Sequence, residues 1–125
     1  MDRSESSIEA LYATGHWLLS SGRHADAGKV FQLMTVTAPE DERGWLGLGA
    51  AHEGVGQLRI AAELYRLAPL AGAPNVRCAI ARGRALRALG QPEAADAILE
   101  AATEAAASAG DDAMAALAAA ERRTT

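Results

Sequence analysis

The chain has 125 residues and a formal net charge of −4 at pH 7. This length suits one domain, and the acidic balance argues against nucleic-acid binding, which depends on neutralising phosphates. No run reaches the roughly 18 apolar residues that a membrane-spanning helix needs, so no membrane insertion is expected. Because Cys78 is the one cysteine and residues 1–9 lack the basic and apolar regions of a signal peptide, we expect a cytoplasmic protein.

The predicted elements are seven helices, bounded by capping residues, glycines and prolines. Ser6 and Glu9 form a possible capping box where the first helix begins. In chain order, the predicted helices cover about residues 7–21, 24–37, 41–55, 58–71, 75–89, 92–107 and 111–122. The 31 alanines of the chain favour this assignment, because alanine is the best helix former and permits close helix packing.

Small and bulky residues recur at a fixed step of 34 residues. The recurring sets are Gly15, Gly49 and Gly83; Gly22, Gly56 and Gly90; Ala27, Ala61 and Ala95; and Phe31, Tyr65 and Leu99. This period is typical of the tetratricopeptide repeat (TPR), in which pairs of antiparallel helices stack on one another. We therefore predict an all-α fold: a single TPR domain over residues 1–125, with repeats at about 8–41, 42–75 and 76–109 in a right-handed solenoid, closed by a capping helix at about 111–122.

The recurring residues predict how the helices pack. The glycines at 15, 49 and 83 and the alanines at 27, 61 and 95 are expected at the contact between the two helices of a repeat, where a larger side chain would push the helix axes apart. The bulky residues at 31, 65 and 99 are expected to fill the space between neighbouring repeats.

No pattern in the sequence indicates catalysis or a cofactor. The fragment Gly47-x-Gly49 follows no predicted strand, as a dinucleotide-binding fingerprint would require. The three histidines show no i, i+4 pairing and no cysteine cluster, so no metal site is predicted. Cys78 has no histidine near it in sequence, which favours packing over nucleophilic chemistry. We predict a binding protein, without enzymatic activity or a cofactor.

The first helices of the repeats are expected to line the concave side of the array. Projection at helical spacing makes this groove apolar and partly aromatic at its N-terminal end and basic at its C-terminal end. The basic residues can equally form a solvated helix face. The predicted peptide-binding residues are Tyr12, His16, Leu19, Leu46, Ala50, Glu53, Ile80, Arg84 and Arg87, with Glu9, Arg43 and Arg77 on the same faces.

Two joined segments go beyond a generic repeat. The segment Gly22-Arg-His-Ala-Asp-Ala-Gly-Lys-Val-Phe31-Gln is followed by Trp45-Leu-Gly-Leu-Gly-Ala50. Together they resemble the class II chaperones of bacterial type III secretion, the SycD/LcrH family, and the similarity continues through Gly56-Gln57 and Ala61 and more loosely to about residue 107.

The resemblance implies a cytoplasmic chaperone for the hydrophobic translocator proteins that form a pore in a host membrane. Such chaperones hold a short extended segment of the secreted translocator in the concave groove. Carried over by position, this role falls on Tyr12, His16, Leu19, Leu46, Ala50 and Glu53.

The chain departs from the family in two ways. His16 and Leu19 replace positions where family members often have aromatic residues, so the pockets are expected to differ. The family's N-terminal helical extension, which contributes to dimerisation, is expected to be missing, which leaves a homodimer as a possibility.

Two other functions stay open at this point. One is a chaperone for a needle subunit, because such proteins are also short repeat arrays. The other is a TPR scaffold or regulatory subunit unrelated to secretion.

Overall fold

The computed structural model describes residues 2–72 and 76–123. Within these ranges the chain forms seven α-helices, a short 3-10 helix and no strand, so the all-α prediction is confirmed. The helices are α1 (Arg3–Ser20), α2 (His24–Thr37), α3 (Glu42–Gly54), α4 (Leu58–Leu67), α5 (Val76–Ala88), α6 (Pro92–Ser108) and α7 (Asp112–Arg123), with the 3-10 helix at Pro69–Ala71. The predicted boundary between the second and third repeats, at 75–76, lies partly outside the described residues.

Two helix ends differ from the prediction. Helix α1 begins one turn before the predicted capping box, because the Asp2 carboxylate accepts the backbone N–H of Glu5 at 2.8 Å and caps the helix there. Helix α4 ends at Leu67 rather than near residue 71. Pro69 has no N–H to continue the helical hydrogen bonds, so the chain tightens into the 3-10 turn.

The two helices of every repeat meet where a glycine faces a bulky residue. A Cβ atom added at Gly15 would lie 2.7 Å from the Phe31 ring, and one at Gly83 would lie 2.7 Å from Leu99. At Gly49 it would overlap the ring of Tyr65. The alanines at 27, 61 and 95 are fully buried. The predicted small-residue contact within each repeat is therefore confirmed.

Phe31 also joins the first repeat to the second. An added Cβ at Gly47 of α3 would overlap the Phe31 ring. The ring thus lies between Gly15 of its own repeat and Gly47 of the next, and it is 1% exposed. Close approach of α1, α2 and α3 depends on the absence of side chains at these two glycines.

The turns inside the three repeats share one backbone geometry. Gly22, Gly56 and Gly90 have φ values of 76°, 81° and 81°, a left-handed conformation that glycine adopts without steric cost. The residue after each glycine donates its N–H to a carbonyl in the last turn of the preceding helix, as from Arg23 to Leu18 at 2.9 Å. The first and second helices of each repeat therefore reverse in the same geometry.

Helix α7 packs against α6 and α5. Its Ala118 is fully buried in a cluster with Ile80 and Leu99, and Met114 packs against the same cluster. Leu117, next to Ala118 in the same helix, is 53% exposed. The helix thus covers the end of the third repeat through its alanine-rich side.

Candidate functional site

The first helices of the repeats, α1, α3 and α5, lie side by side, since α3 contacts both α1 and α5. Between α1 and α3 is a cavity of about 220 Å³. Five of the predicted groove residues line it, together with Arg43 and Arg77, the Phe31 ring and the backbone of Gly47. The five are Tyr12, His16, Leu19, Leu46 and Ala50.

A second cavity of about 210 Å³ lies on the α5 side of α3. Leu46 and Ala50 line both cavities and form the ridge between them. The remaining wall consists of Glu53, Tyr65, Ala81 and Arg84. We call the two adjoining cavities the groove.

The N-terminal end of the groove is held by Arg43. Its guanidinium donates to Glu9 of α1 at 2.7 Å and to Asp41 at 2.9 Å, and it lies 4.5 Å from the centre of the Tyr12 ring. The Tyr12 ring in turn stacks on His16, with 5.9 Å between ring centres. Arg43 therefore ties the first repeat to the second across the first cavity.

These contacts stabilise the ionised forms of Glu9, Asp41 and Arg43. Hydrogen bonds from Arg43 lower the pKa values of the Glu9 and Asp41 carboxyl groups. The bonds to Asp41 and then Glu9 raise the pKa of Arg43. One guanidinium, in a cation–π contact with Tyr12, is thus paired with two carboxylates, so this cluster has one negative charge in excess.

The centre of the groove contains a polar pair that the sequence analysis missed. The Tyr65 hydroxyl donates to the Glu53 carboxylate at 2.5 Å. Burial, followed by this hydrogen bond, raises the pKa of Tyr65. Tyr65 is 3% exposed, and the repeat pattern predicted it only as a residue that fills the space between repeats. The available signal was the hydroxyl itself, which needs a partner when a tyrosine is buried.

Ile80 is the first correction to the predicted groove. It occupies the position equivalent to Tyr12 and Leu46, but it is 2% exposed and lies in the cluster with Leu99 and Ala118. Helix α7 packs over this part of α5, so the side chain belongs to the core. The groove therefore does not extend to Ile80.

Arg87 is the second correction. Its guanidinium donates to the backbone carbonyl of Glu121 at 2.7 Å and to that of Arg122 at 3.3 Å, and it pairs with Asp96 at 3.1 Å. It does not line either cavity of the groove. Arg87 anchors the last turn of α7, where a cation is favoured by the unpaired carbonyls.

Arg84 lines the second cavity, with a side chain that is 59% exposed and 3.7 Å from Glu121. Arg77 borders the first cavity and is exposed. The C-terminal side of the groove thus carries two basic side chains within reach of solvent.

Glu42 fixes the start of α5 from the preceding repeat. Its carboxylate accepts the backbone N–H of Cys78 at 2.9 Å, and burial raises its pKa. Cys78 is fully buried, and burial raises the pKa of its thiol to about 12. A protonated, inaccessible thiol is a packing group rather than a nucleophile.

Two general features concern residues 2–72 and 76–123 as a whole. No helix in these ranges combines the length and hydropathy needed to cross a membrane. Within the same ranges, no three histidine, cysteine or acidic side chains are grouped so that they could hold a metal ion.

The chain is similar to known proteins over nearly all of its length. It is 30% identical to PcrH, solved in complex with the chaperone binding region of PopB, and the match covers 94% of this chain and 95% of that one with a TM-score of 0.80. It is 25% identical to the type III secretion translocator chaperone SycD of Yersinia enterocolitica, covering 97% of this chain and 91% of that one with a TM-score of 0.85.

A shorter match joins the chain to the low calcium response locus protein H of Yersinia pestis, with 39% identity over 62 residues. This match spans 50% of the chain and 37% of the relative's length. No protein-family model matches the sequence. On the near-complete likeness to PcrH, the chain belongs to the SycD/LcrH family, the class II chaperones of bacterial type III secretion.

Proposed function

We propose that this protein is a cytoplasmic, non-catalytic chaperone of type III secretion that binds a hydrophobic translocator protein through an extended segment held in the groove. The observation that carries the proposal is the pair of adjoining cavities that share Leu46 and Ala50. The likeness to PcrH supports it, since PcrH has been solved with the chaperone binding regions of PopB and PopD. Bound in this way, the client's apolar segments would be kept from aggregating.

The spacing of the cavities suggests the form of the client segment. One cavity lies between α1 and α3 and the other on the far side of α3, and helices packed side by side are about 8–10 Å apart. In a polyproline II conformation, side chains three residues apart point the same way and are separated by about 9 Å. We therefore expect the client to place apolar side chains at positions i and i+3 in the two cavities.

The groove also offers partners for the polar parts of such a segment. Glu53 can accept a hydrogen bond from the client backbone, and Arg84 and Arg77 can attract acidic residues beside the bound segment. Because both arginines are exposed, this attraction should weaken as salt rises. The apolar side chains are expected to supply most of the affinity.

Co-expression with the translocator encoded nearest to the chaperone gene tests the proposal. Replacement of both Tyr12 and Leu46 by Glu places two charges in the groove and should abolish co-purification, because buried charges without partners are costly. The matched control is Leu33→Glu with Val36→Glu, which are 53% and 75% exposed and lie outside the groove. This control should capture the client at the level of the unchanged protein.

Circular dichroism is used to check that both double variants keep the helical fold. Normal client yield with a folded groove variant would contradict binding in the groove. Co-purification of a small helical needle subunit, with no capture of the translocator, would favour the needle-subunit chaperone instead.

A further inference from the structure

A second cleft lies outside the groove, between the second and third repeats. It has a volume of about 340 Å³ and is walled by α4 with its 3-10 turn, α5 and α6. Apart from two arginines, its lining consists of Tyr65, Pro69, Ala79, Ile98, Ala101, Ala102 and Ala105. Because most of these side chains are small, the cleft has room for one branched apolar side chain. We call it the outer cleft.

The charged residues of the outer cleft have one sign. Arg66 and Arg82 line it, and no carboxylate does. Arg66 pairs with Glu63 at 2.9 Å, whereas no ion pair within residues 2–72 and 76–123 involves Arg82. The cleft therefore combines an apolar floor with an arginine whose charge is not matched.

The position of Arg82 in the repeat makes this arrangement unusual. The residue 34 positions earlier is Leu48, which is 8% exposed and packs in the core between the first two repeats. The third repeat has an arginine, only partly exposed, where the second has a core leucine. Sites at which a sequence breaks its own packing rule without a structural gain are frequently functional.

We propose that the outer cleft is a second protein-binding site, which takes a segment with a carboxylate next to a branched apolar side chain. The apolar side chain enters between α6 and the 3-10 turn, and the carboxylate pairs with Arg82, supported by Arg66. An arginine fork suits a carboxylate because it can donate two parallel hydrogen bonds. The site shares Tyr65 with the second cavity of the groove but takes a different segment, and it does not depend on the function proposed for the groove.

Titration of the full chain with short blocked peptides tests this site. The probes are acetyl-Glu-Leu-Leu-Glu-amide and its charge-reversed counterpart, acetyl-Lys-Leu-Leu-Lys-amide, followed by changes in amide NMR frequencies. The glutamate peptide should shift the signals of Ala79, Ala101 and Ala105 and bind at least tenfold more tightly than the lysine peptide. Raising the salt concentration should reduce that difference.

Two variants make the test specific. Arg82→Gln should weaken binding of the glutamate peptide about tenfold. Arg59→Gln makes the same change of charge at an exposed arginine of α4 outside the cleft and should leave binding unchanged. Equal binding of the two peptides, equal effects of the two variants, or shifts confined to the groove would each overturn the proposal.

Discussion

The N-terminal and C-terminal ends of the row of first helices share the repeat register, but equivalent residues have different surroundings at the two ends. Tyr12 and Leu46 line the groove, whereas Ile80, at the equivalent position of the third repeat, is buried in the core. Likewise, Glu53 lines the groove, while Arg87, 34 positions later, reaches away to the carbonyls that end α7. The difference lies in the helix that follows. Equivalent positions line a common surface only as long as the next element continues the repeat.

The largest change in stability is expected from truncating Ile80, and truncation of Leu46 gives the comparison. Ile80→Ala leaves a cavity under α7 and should lower the free energy of unfolding by about 2–5 kcal/mol. Leu46 is only partly buried, so Leu46→Ala should cost about 1 kcal/mol and should instead weaken client capture. Chemical denaturation and co-purification measure the two effects. A larger stability loss for Leu46→Ala than for Ile80→Ala would contradict the placement of Ile80 in the core and of Leu46 in the groove.

The contact between the first two repeats can be tested with glycine. Gly47→Ala forces a Cβ atom into the Phe31 ring and should lower the free energy of unfolding by about 1–3 kcal/mol. At Gly28 an added Cβ atom would meet only Ala51, at 3.6 Å. Gly28→Ala should therefore stabilise the helix by roughly 0.5–1 kcal/mol. Thermal melts that shift in the same direction for both variants would contradict the described packing.

The anchoring of α7 should depend on Arg87 and hardly on its neighbour Arg84. Arg87→Met removes charge-assisted hydrogen bonds to two carbonyls and should cost roughly 1–2 kcal/mol. Arg84→Met removes a longer, largely exposed pair and should change the free energy of unfolding by less than about 0.5 kcal/mol. Denaturation curves compare the two substitutions. Comparable losses would place both arginines in the same structural role.

The smallest effect concerns acid pH at the N-terminal end of the groove. The pKa values of Glu9 and Asp41 are lowered by Arg43, so their stabilising effect is present above their unfolded values near 4 and is lost as the pH falls through the folded values. The partly exposed Asp41 pair contributes no more than about 1 kcal/mol. The stability difference between the unchanged protein and Arg43→Gln should therefore shrink between pH 6 and pH 2.5.

Arg59→Gln serves as the control for this pH dependence, because Arg59 is exposed and forms no ion pair with the described residues. Its stability difference from the unchanged protein should stay constant over the same pH range. An Arg43→Gln difference that is equally constant would mean that Arg43 does not set these pKa values.

The 34-residue step was sufficient to predict the helix pairs and the glycine contacts, because those features involve residues within one repeat or the next. It also brought Tyr12, Leu46 and Ala50 to one face. It failed at Ile80 and Arg87 because α7 does not keep the register and its alanine-rich sequence defines no packing side. The placement of these two side chains depends on that helix.

Other features depended on contacts that no periodicity encodes. The bond from Tyr65 to Glu53 requires a particular side-chain direction across two helices. The cap at Asp2 rests on a single carboxylate outside the repeats. The cation–π contact of Arg43 follows from the distance between α1 and α3, which the glycine contacts determine only after the helices have packed.

Each helix contacts only its near neighbours, and this determines the order in which the helices unfold locally. In the described chain, α1 packs on α2 and α3, whereas α3 packs on helices to both sides. In such linear arrays, local opening begins at the ends, and amide hydrogens there exchange with solvent first. Because α1 forms one wall of the first cavity, an occupied cavity would slow the exchange of α1 most. A helix that opens early in the free protein is then the one that reports most directly on what the groove holds.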